Sequence, residues 1–326
     1  MAKKAFVTGA GGFIASHLVE ALLQDGWQVT ALVHYNGRGH WGWLEPHHIA
    51  PPPNLEVVLG DINDPFQVCE ALEGCEVVFH LAALIAIPYS YRAPASYVQT
   101  NVTGTLNVAE AARRAGVKRF VHTSTSEVYG SAQYTPLDEQ HPLQGQSPYA
   151  ATKIAADKLI ESYVCSYGLP AVTVRPFNTY GPRQSARAVI PGIIAQALNG
   201  NSVRLGSVTP IRDFTFVEDT VAGFIYAAGA EGVTGQVINL GTGEAISIGD
   251  LAQTIFKLLG VTPAIITDLQ RVRPAASEVM QLISNNDKAK KMLGWRPSVS
   301  LQDGLGRTIQ WMRNHAEAYR PEEYSV

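Results

Sequence analysis

Short apolar runs alternate with helix-period segments through the first half of this 326-residue chain, and that alternation limits its fold more than any other feature. Residues 5–8 read as a short buried strand, and residues 13–25 then place Ile14, Leu18 and Leu22 at helical spacing. Strand-like runs recur at 28–33, 55–59, 76–80, 119–123 and 171–175, with helical segments at 64–72, 101–114 and 148–167. Strands that return through a helix pair in parallel, so the pattern predicts an α/β protein built on a doubly wound parallel sheet. Regularity fades after residue 176. The stretches 177–182 and 209–217 read as loops joined to short elements, 236–240 as a late strand returning to the sheet, and 250–259 and 286–293 as helices. The expected division is a dinucleotide-binding domain of residues 1–176, rejoined by 215–245, and a smaller lobe of 177–214 and 246–326. That lobe would cap the carboxyl edge of the sheet, where open α/β sheets bind ligands.

Composition narrows the partners. Charged residues are 16% of the chain and the net charge is -3, so no basic field exists to hold nucleic acid or an anionic membrane. Any phosphate must be bound locally. Cys69, Cys75 and Cys165 lack Cys-x-x-Cys spacing and read as buried packing residues. The glycine turn follows the first apolar run too soon for a signal peptide, and no apolar stretch approaches about 18 residues, so a cytoplasmic protein is expected. His47 and His48 lie in a Pro-rich loop without partners at ligand spacing, and no metal is expected.

Gly9-Ala-Gly-Gly12-Phe13-Ile14-Ala15 falls between the first strand and the first helix. There a tight turn points backbone amides and a helix N-terminus at a pyrophosphate, and Ala15 is small enough for close helix-to-strand packing. Asp61, followed by Ile62, ends the third strand where an adenine would be met. The second strand ends in His34-Tyr35-Asn36 with Arg38 nearby and no acid for a ribose 2′-hydroxyl, which leaves NAD and NADP both open.

Tyr149 and Lys153 stand four residues apart on the helix at 148–167, one turn apart on one face. An ammonium near a phenolic oxygen favours the phenolate, which makes Tyr149 a candidate base. Upstream, Ser124-Thr125-Ser126-Glu127 follows a strand. Residues two apart in an extended segment point the same way, so Thr125 and Glu127 would share a face if the strand reaches that far. Redox chemistry at a carbinol carbon is the reaction type that such a set supports.

Gly9 and Gly12, Asp61, His80-Leu81-Ala82-Ala83, Thr125, Tyr149 with Lys153, and Arg175-Pro176-Phe-Asn178 together resemble the extended short-chain dehydrogenase/reductase superfamily over almost the whole chain. The resemblance implies a Rossmann-type sheet, with Leu81, Ala82, Ala83 and Pro176 joining the glycine turn around the cofactor. It implies Thr125, Tyr149 and Lys153 as the working set, a nucleotide-sugar substrate whose diphosphate meets Asn178 and Arg212, and a homodimer formed through the helices at 101–114 and 148–167. Arg183, Arg187 and Arg273 are further candidates for the phosphates, with surface ion pairs as the alternative. Ser124-Thr-Ser-Glu-Val-Tyr-Gly looks like the active-site strand end of GDP-mannose 4,6-dehydratases, whereas dTDP-glucose 4,6-dehydratases carry Asp where Ser126 stands. The stretches 35–44, 81–91 and 182–191 look like GDP-N-acetylglucosamine 4,6-dehydratases of legionaminic acid synthesis. On this likeness Tyr149 takes the O4 proton, Thr125 bonds the same oxygen, Ser126 either points differently or assists through a water, and Glu127 serves as base at C5 and acid at O6. The cofactor would stay bound and be regenerated each turnover. A C4 epimerase needs no C5 base and is the main alternative, and a non-catalytic dinucleotide sensor is the second.

Overall fold

The computed structural model describes residues 3–48 and 50–319. Six parallel strands form in turn: β1 (Lys4–Thr8), β2 (Gln28–His34), β3 (Leu55–Gly60), β4 (Val77–His80), β5 (Arg119–Thr123) and β6 (Ala171–Pro176). After β7 (Asn178–Tyr180), β8 (Ser202–Leu205), β9 (Ile211–Arg212) and β10 (Phe214–Phe216), β11 (Val237–Leu240) returns to pair with β6, as the 236–240 run predicts. The resulting seven-stranded Rossmann-type sheet has the order β11-β6-β5-β4-β1-β2-β3, entirely parallel. From β1 the chain winds outward through β2 and β3, then crosses back to β4. The crevice for a ligand therefore opens beyond the carboxyl ends of β1 and β4.

Helices α1 (Phe13–Gln24), α2 (Pro65–Ala71), α3 (Ile87–Arg92), α4 (Pro94–Tyr97), α5 (Gly104–Ala115), α6 (Pro148–Tyr167), α7 (Val189–Asn199) and α8 (Val217–Gly229) flank or follow the sheet. α6 shows why sequence dictates its bounds. Ser147 caps Ala150 N–H, Pro148 occupies the first turn, where its missing N–H costs nothing, and Gly168 ends the helix at φ +68°. Tyr149, Lys153, Ala156, Ile160 and Tyr163 recur at helical spacing on its buried face. α5 is shorter than the periodicity suggests, because residues 98–103 form a wider π-helical turn before it.

The remaining elements are β12 (Ile246–Ser247), α9 (Ile248–Leu259), β13 (Ala264–Thr267), β14 (Gln281–Leu282), α10 (Asp287–Leu293) and α11 (Leu301–Asn314). β9 runs between β12 and β14, which carries Arg212 in the middle of a three-stranded sheet. Its neighbour Asp213 is fully buried and accepts from Thr242 N–H, Gly243 N–H and Ser284 N–H, tying the end of β11 to β14. The loops read at 177–182 and 209–217 thus contain β7, β9 and β10, because pairing partners far along the chain recruit them.

Two expectations need correction. Cys69 and Cys165 are exposed, on the outer faces of α2 and α6, and only Cys75 is buried. The strand β5 stops at Thr123 and does not run on through Glu127. No helix among the described residues is long and apolar enough to cross a membrane.

Candidate active site

Two buried devices hold the crevice open between β1 and β4. Thr8 donates to His80 Nδ1 at 2.8 Å and accepts from Leu81 N–H and Ala82 N–H, both at 3.1 Å. His80 Nε2 in turn donates to Thr105 Oγ1, whose hydroxyl is committed to the Asn101 carbonyl. Burial first, then the charges of His122 and Lys153, hold His80 well below the usual imidazole range, so it is a neutral strut. Asn101 is the second device: its side chain bonds Leu84 N–H, the Leu84 carbonyl and Thr152. Residues 81–84 are thereby fixed between β1 and α6.

The glycine turn fits a dinucleotide pyrophosphate. Gly12 caps α1 without a side-chain bond, so the amides of Phe13 and Ile14 have no helical acceptor and face outward. Gly9 has φ +68°, and a Cβ there would lie 2.9 Å from the Ala82 Cα. Gly9→Ala is accordingly expected to lower stability by about 1–2 kcal/mol from the left-handed backbone alone. It should also weaken dinucleotide binding at least about tenfold as the turn shifts, measured by thermal melting and cofactor titration. Asp61 follows β3 with its carboxylate on Asn63 N–H, Ile62 packs beneath Gly104, and Pro176 ends β6 beside Leu240. Arg38 is exposed in a loop that Asn36 organises by accepting from Arg38 N–H and His40 N–H.

The candidate catalytic residues gather where β5 ends and α6 begins. Thr125 is extended, with φ -159° and ψ 153°, and caps the 3-10 turn Ser126–Tyr129 by accepting from Glu127 N–H at 3.2 Å. That turn, and no strand alternation, is what sets Thr125 and Glu127 beside Tyr149. Burial pushes the Tyr149 phenol up, a hydrogen bond from Thr125 pulls it down, and the Glu127 charge opposes ionisation. Ser126 is buried and sits within the turn. Lys153 donates to the Thr123 carbonyl at 2.6 Å, and burial pulls its ammonium down to about 8 against the charge of Asp157. The helix spacing places the two side chains as expected, but here burial outweighs any lowering of the phenol by the lysine.

Opposite this pair, Arg273 reaches Glu127 at 3.9 Å and Glu278 at 3.7 Å, and Arg212 reaches Glu278 at 3.4 Å. Two guanidiniums and two carboxylates therefore line one wall, and Arg212 is 6% exposed. Asn178 donates to the carbonyl of Asp213, which lies between β9 and β10. Arg187 is exposed and bonded to Ser185. Its charge is felt at Tyr97, which packs edge-on against Tyr149. Arg183 is engaged elsewhere, paired with Glu20 and Ser16 on α1. His47 and His48 face Glu20 and Glu45, and no cluster able to hold a metal occurs among the described residues.

Sequence reading missed Asn101, Glu278 and Asp157. Asp157 carried a usable signal, since it continues the Tyr149–Lys153 stripe by one further turn onto the buried face.

The family model described as GDP-mannose 4,6 dehydratase matches residues 6–308. A UDP-glucose 4-epimerase of Mycolicibacterium smegmatis is 36% identical, covering 96% of this chain and 100% of the relative. A dTDP-glucose 4,6-dehydratase of Streptomyces griseus is 33% identical, covering 97% and 95%. Among solved structures, the dTDP-glucose 4,6-dehydratase DesIV of Streptomyces venezuelae, crystallised with NAD, superimposes with a TM-score of 0.88 at 31% identity, covering 98% of this chain and 99% of that one.

Proposed function

Because the chain belongs to the GDP-mannose 4,6-dehydratase family of extended short-chain dehydrogenases/reductases, we propose that it removes water across C5 and C6 of a nucleotide-linked hexose to give the 4-keto-6-deoxy sugar. It is an enzyme of the NAD-dependent nucleotide-sugar type, and NAD or NADP is the cofactor assigned to the glycine turn; the Streptomyces venezuelae relative is crystallised with NAD bound. When bound, the nicotinamide supplies a reversible hydride acceptor, so that an oxidation at C4 and a reduction at C6 leave no net change in oxidation state. Residues of the chain supply the rest. Tyr149 takes the O4 proton, Thr125 holds the same oxygen, and Lys153 carries the positive charge that favours the phenolate. A ketone at C4 acidifies the C5 proton. Glu127 removes that proton and gives it to the departing O6 hydroxyl, which leaves as water, and as C6 is reduced C5 takes up one proton, balancing the one that Tyr149 took from O4.

One observation carries the choice of dehydratase: a carboxylate, Glu127, stands beside the catalytic phenol, near enough for its charge to oppose the phenol's ionisation. A C4 epimerase has no use for a C5 base. The 36% identity to an epimerase makes that reaction the second reading. Arg212 and Arg273, with Asn178 and Arg187, are assigned to the diphosphate, which would replace Glu278 as counter-ion; Ser126 assists at the sugar. The smaller lobe of 177–214 and 246–326 takes the nucleotide. Likeness at 35–44, 81–91 and 182–191 supports N-acetylglucosamine carried on GDP or UDP as the substrate. A homodimer through the outer faces of α5 and α6, in the cytoplasm, completes the reading.

Mixing the purified protein with GDP- and UDP-linked hexoses and their N-acetylamino forms tests it. A 4-keto chromophore developed in alkali is the expected result. A changed configuration at C4 without a keto product replaces dehydration by epimerisation, and no change with any nucleotide sugar leaves only dinucleotide binding.

A further inference from the structure

Behind the Tyr149–Lys153 pair, one helical turn deeper on α6, Asp157 is 5% exposed and accepts four hydrogen bonds. Ser124 Oγ donates at 2.7 Å and His122 Nε2 at 3.1 Å, both from the end of β5. Arg175 on β6 donates through Nη2 at 2.9 Å and Nε at 3.3 Å. The other arm of Arg175 donates to the Tyr129 hydroxyl at 3.1 Å, which itself donates to Asn239 at 2.7 Å. One carboxylate thus ties together α6, both strands under the site, and the far end of the turn that bears Thr125 and Glu127. The residue between His122 and Ser124 is Thr123, whose carbonyl receives Lys153.

We propose that Asp157 is a positioning residue for the reaction: it fixes the end of β5 against α6 so that the Thr123 carbonyl receives Lys153, and it holds a permanent negative charge one turn behind that ammonium. Its ionisation is secure. Burial opposes it, but the His122 bond and the Arg175 charge bring Asp157 down to about 2. The titratable and charged groups around Lys153 are Tyr149 and Asp157 on α6, His80 on β4, His122 on β5 and, through Asp157, Arg175 on β6. Burial keeps both histidines below the usual imidazole range, so they add little positive charge near neutrality. His122 Nδ1 has no partner, which fits a neutral ring protonated on Nε2. Asp157 is then the anion that opposes loss of the Lys153 proton. It also opposes the Tyr149 phenolate, but less than Glu127 does.

The role rests on the proposed chemistry only for its effect on rate, so the test has one arm that needs no substrate. In Asp157→Asn, isotope-labelled lysine side chains are followed by NMR against pH, with Lys153 assigned by the signal lost in Lys153→Met. The midpoint of Lys153 is expected to fall by about one pH unit, since an opposite charge has been removed. In the second arm the alkaline limb of turnover should fall with it, while KM stays within about twofold. Should Asp157→Asn fail to fold with Arg175 left unpaired, Asp157→Asn combined with Arg175→Met removes the stranded cation and carries both measurements. An unmoved Lys153 midpoint and an unmoved alkaline limb, with only the melting temperature lowered, overturn the proposal. A moved midpoint in a protein that turns over no nucleotide sugar upholds Asp157 as the residue that holds the Lys153 charge, and overturns the proposed reaction together with the part of Asp157 in it.

Discussion

Tyr149→Phe is expected to lower turnover by about 10²- to 10⁴-fold, the usual contribution of one positioned acid–base group. The fold should survive, because the ring keeps its edge-on contact with Tyr97 and loses only a hydroxyl bonded to Thr125. Thermal melting alongside the rate of 4-keto sugar formation separates the two effects. A rate within about threefold of wild type excludes Tyr149 as the base. The wild-type pH profile carries a companion expectation with a definite sign. Burial lowers Lys153 to about 8, so its charge is present below that value and lost above it. Turnover should fall as pH rises through about 8, provided the ammonium is what favours the phenolate. The buried phenol alone would give the opposite trend, because its ionisation increases with pH.

Glu127→Gln is the second large effect. The amide keeps the size of the side chain and its place in the turn, where the backbone N–H bonds Thr125, but it can take no proton. Formation of the 4-keto-6-deoxy product should drop by about 10²- to 10⁴-fold, whereas oxidation at C4 persists and reduced cofactor accumulates on mixing with substrate. Rapid-mixing absorbance followed by product chromatography reads both steps. An unchanged rate of product formation removes Glu127 from the mechanism, and a variant that still interconverts C4 epimers at full rate shows that the carboxylate was never needed. The loss of charge has a side effect of known direction: Tyr149 is relieved of one opposing anion, so the first step should not be slowed on electrostatic grounds.

Much of this site was legible in the chain because its parts are local. The turn from Gly9 to Ala15, the four-residue spacing of Tyr149 and Lys153, and the capped helix around them depend on neighbours in sequence, and each reads directly from residue types. Thr125 and Glu127 share a face through a different geometry from the one the sequence suggests. A strand continuing past Thr123 would have aligned them, but a 3-10 turn does so, with Thr125 as its cap. The elements between residues 177 and 217 were hard to read because β7, β9 and β10 are three residues or fewer and pair with partners distant in the chain. No periodicity can appear in so short a run.

Sequence alone determined the class of fold and brought the glycine turn and the candidate acid–base residues into view, since these depend on local spacing and backbone preference. Only the tertiary structure decided their ionisation. Tyr149 is pushed up and Lys153 pulled down because both are buried, and the carboxylate that opposes loss of the lysine proton is itself kept ionised by His122, Ser124 and Arg175 from two other strands. Spacing brings a phenol and an ammonium to one helical face. The dielectric and the charges that govern their protons belong to residues that meet only when the sheet closes behind them.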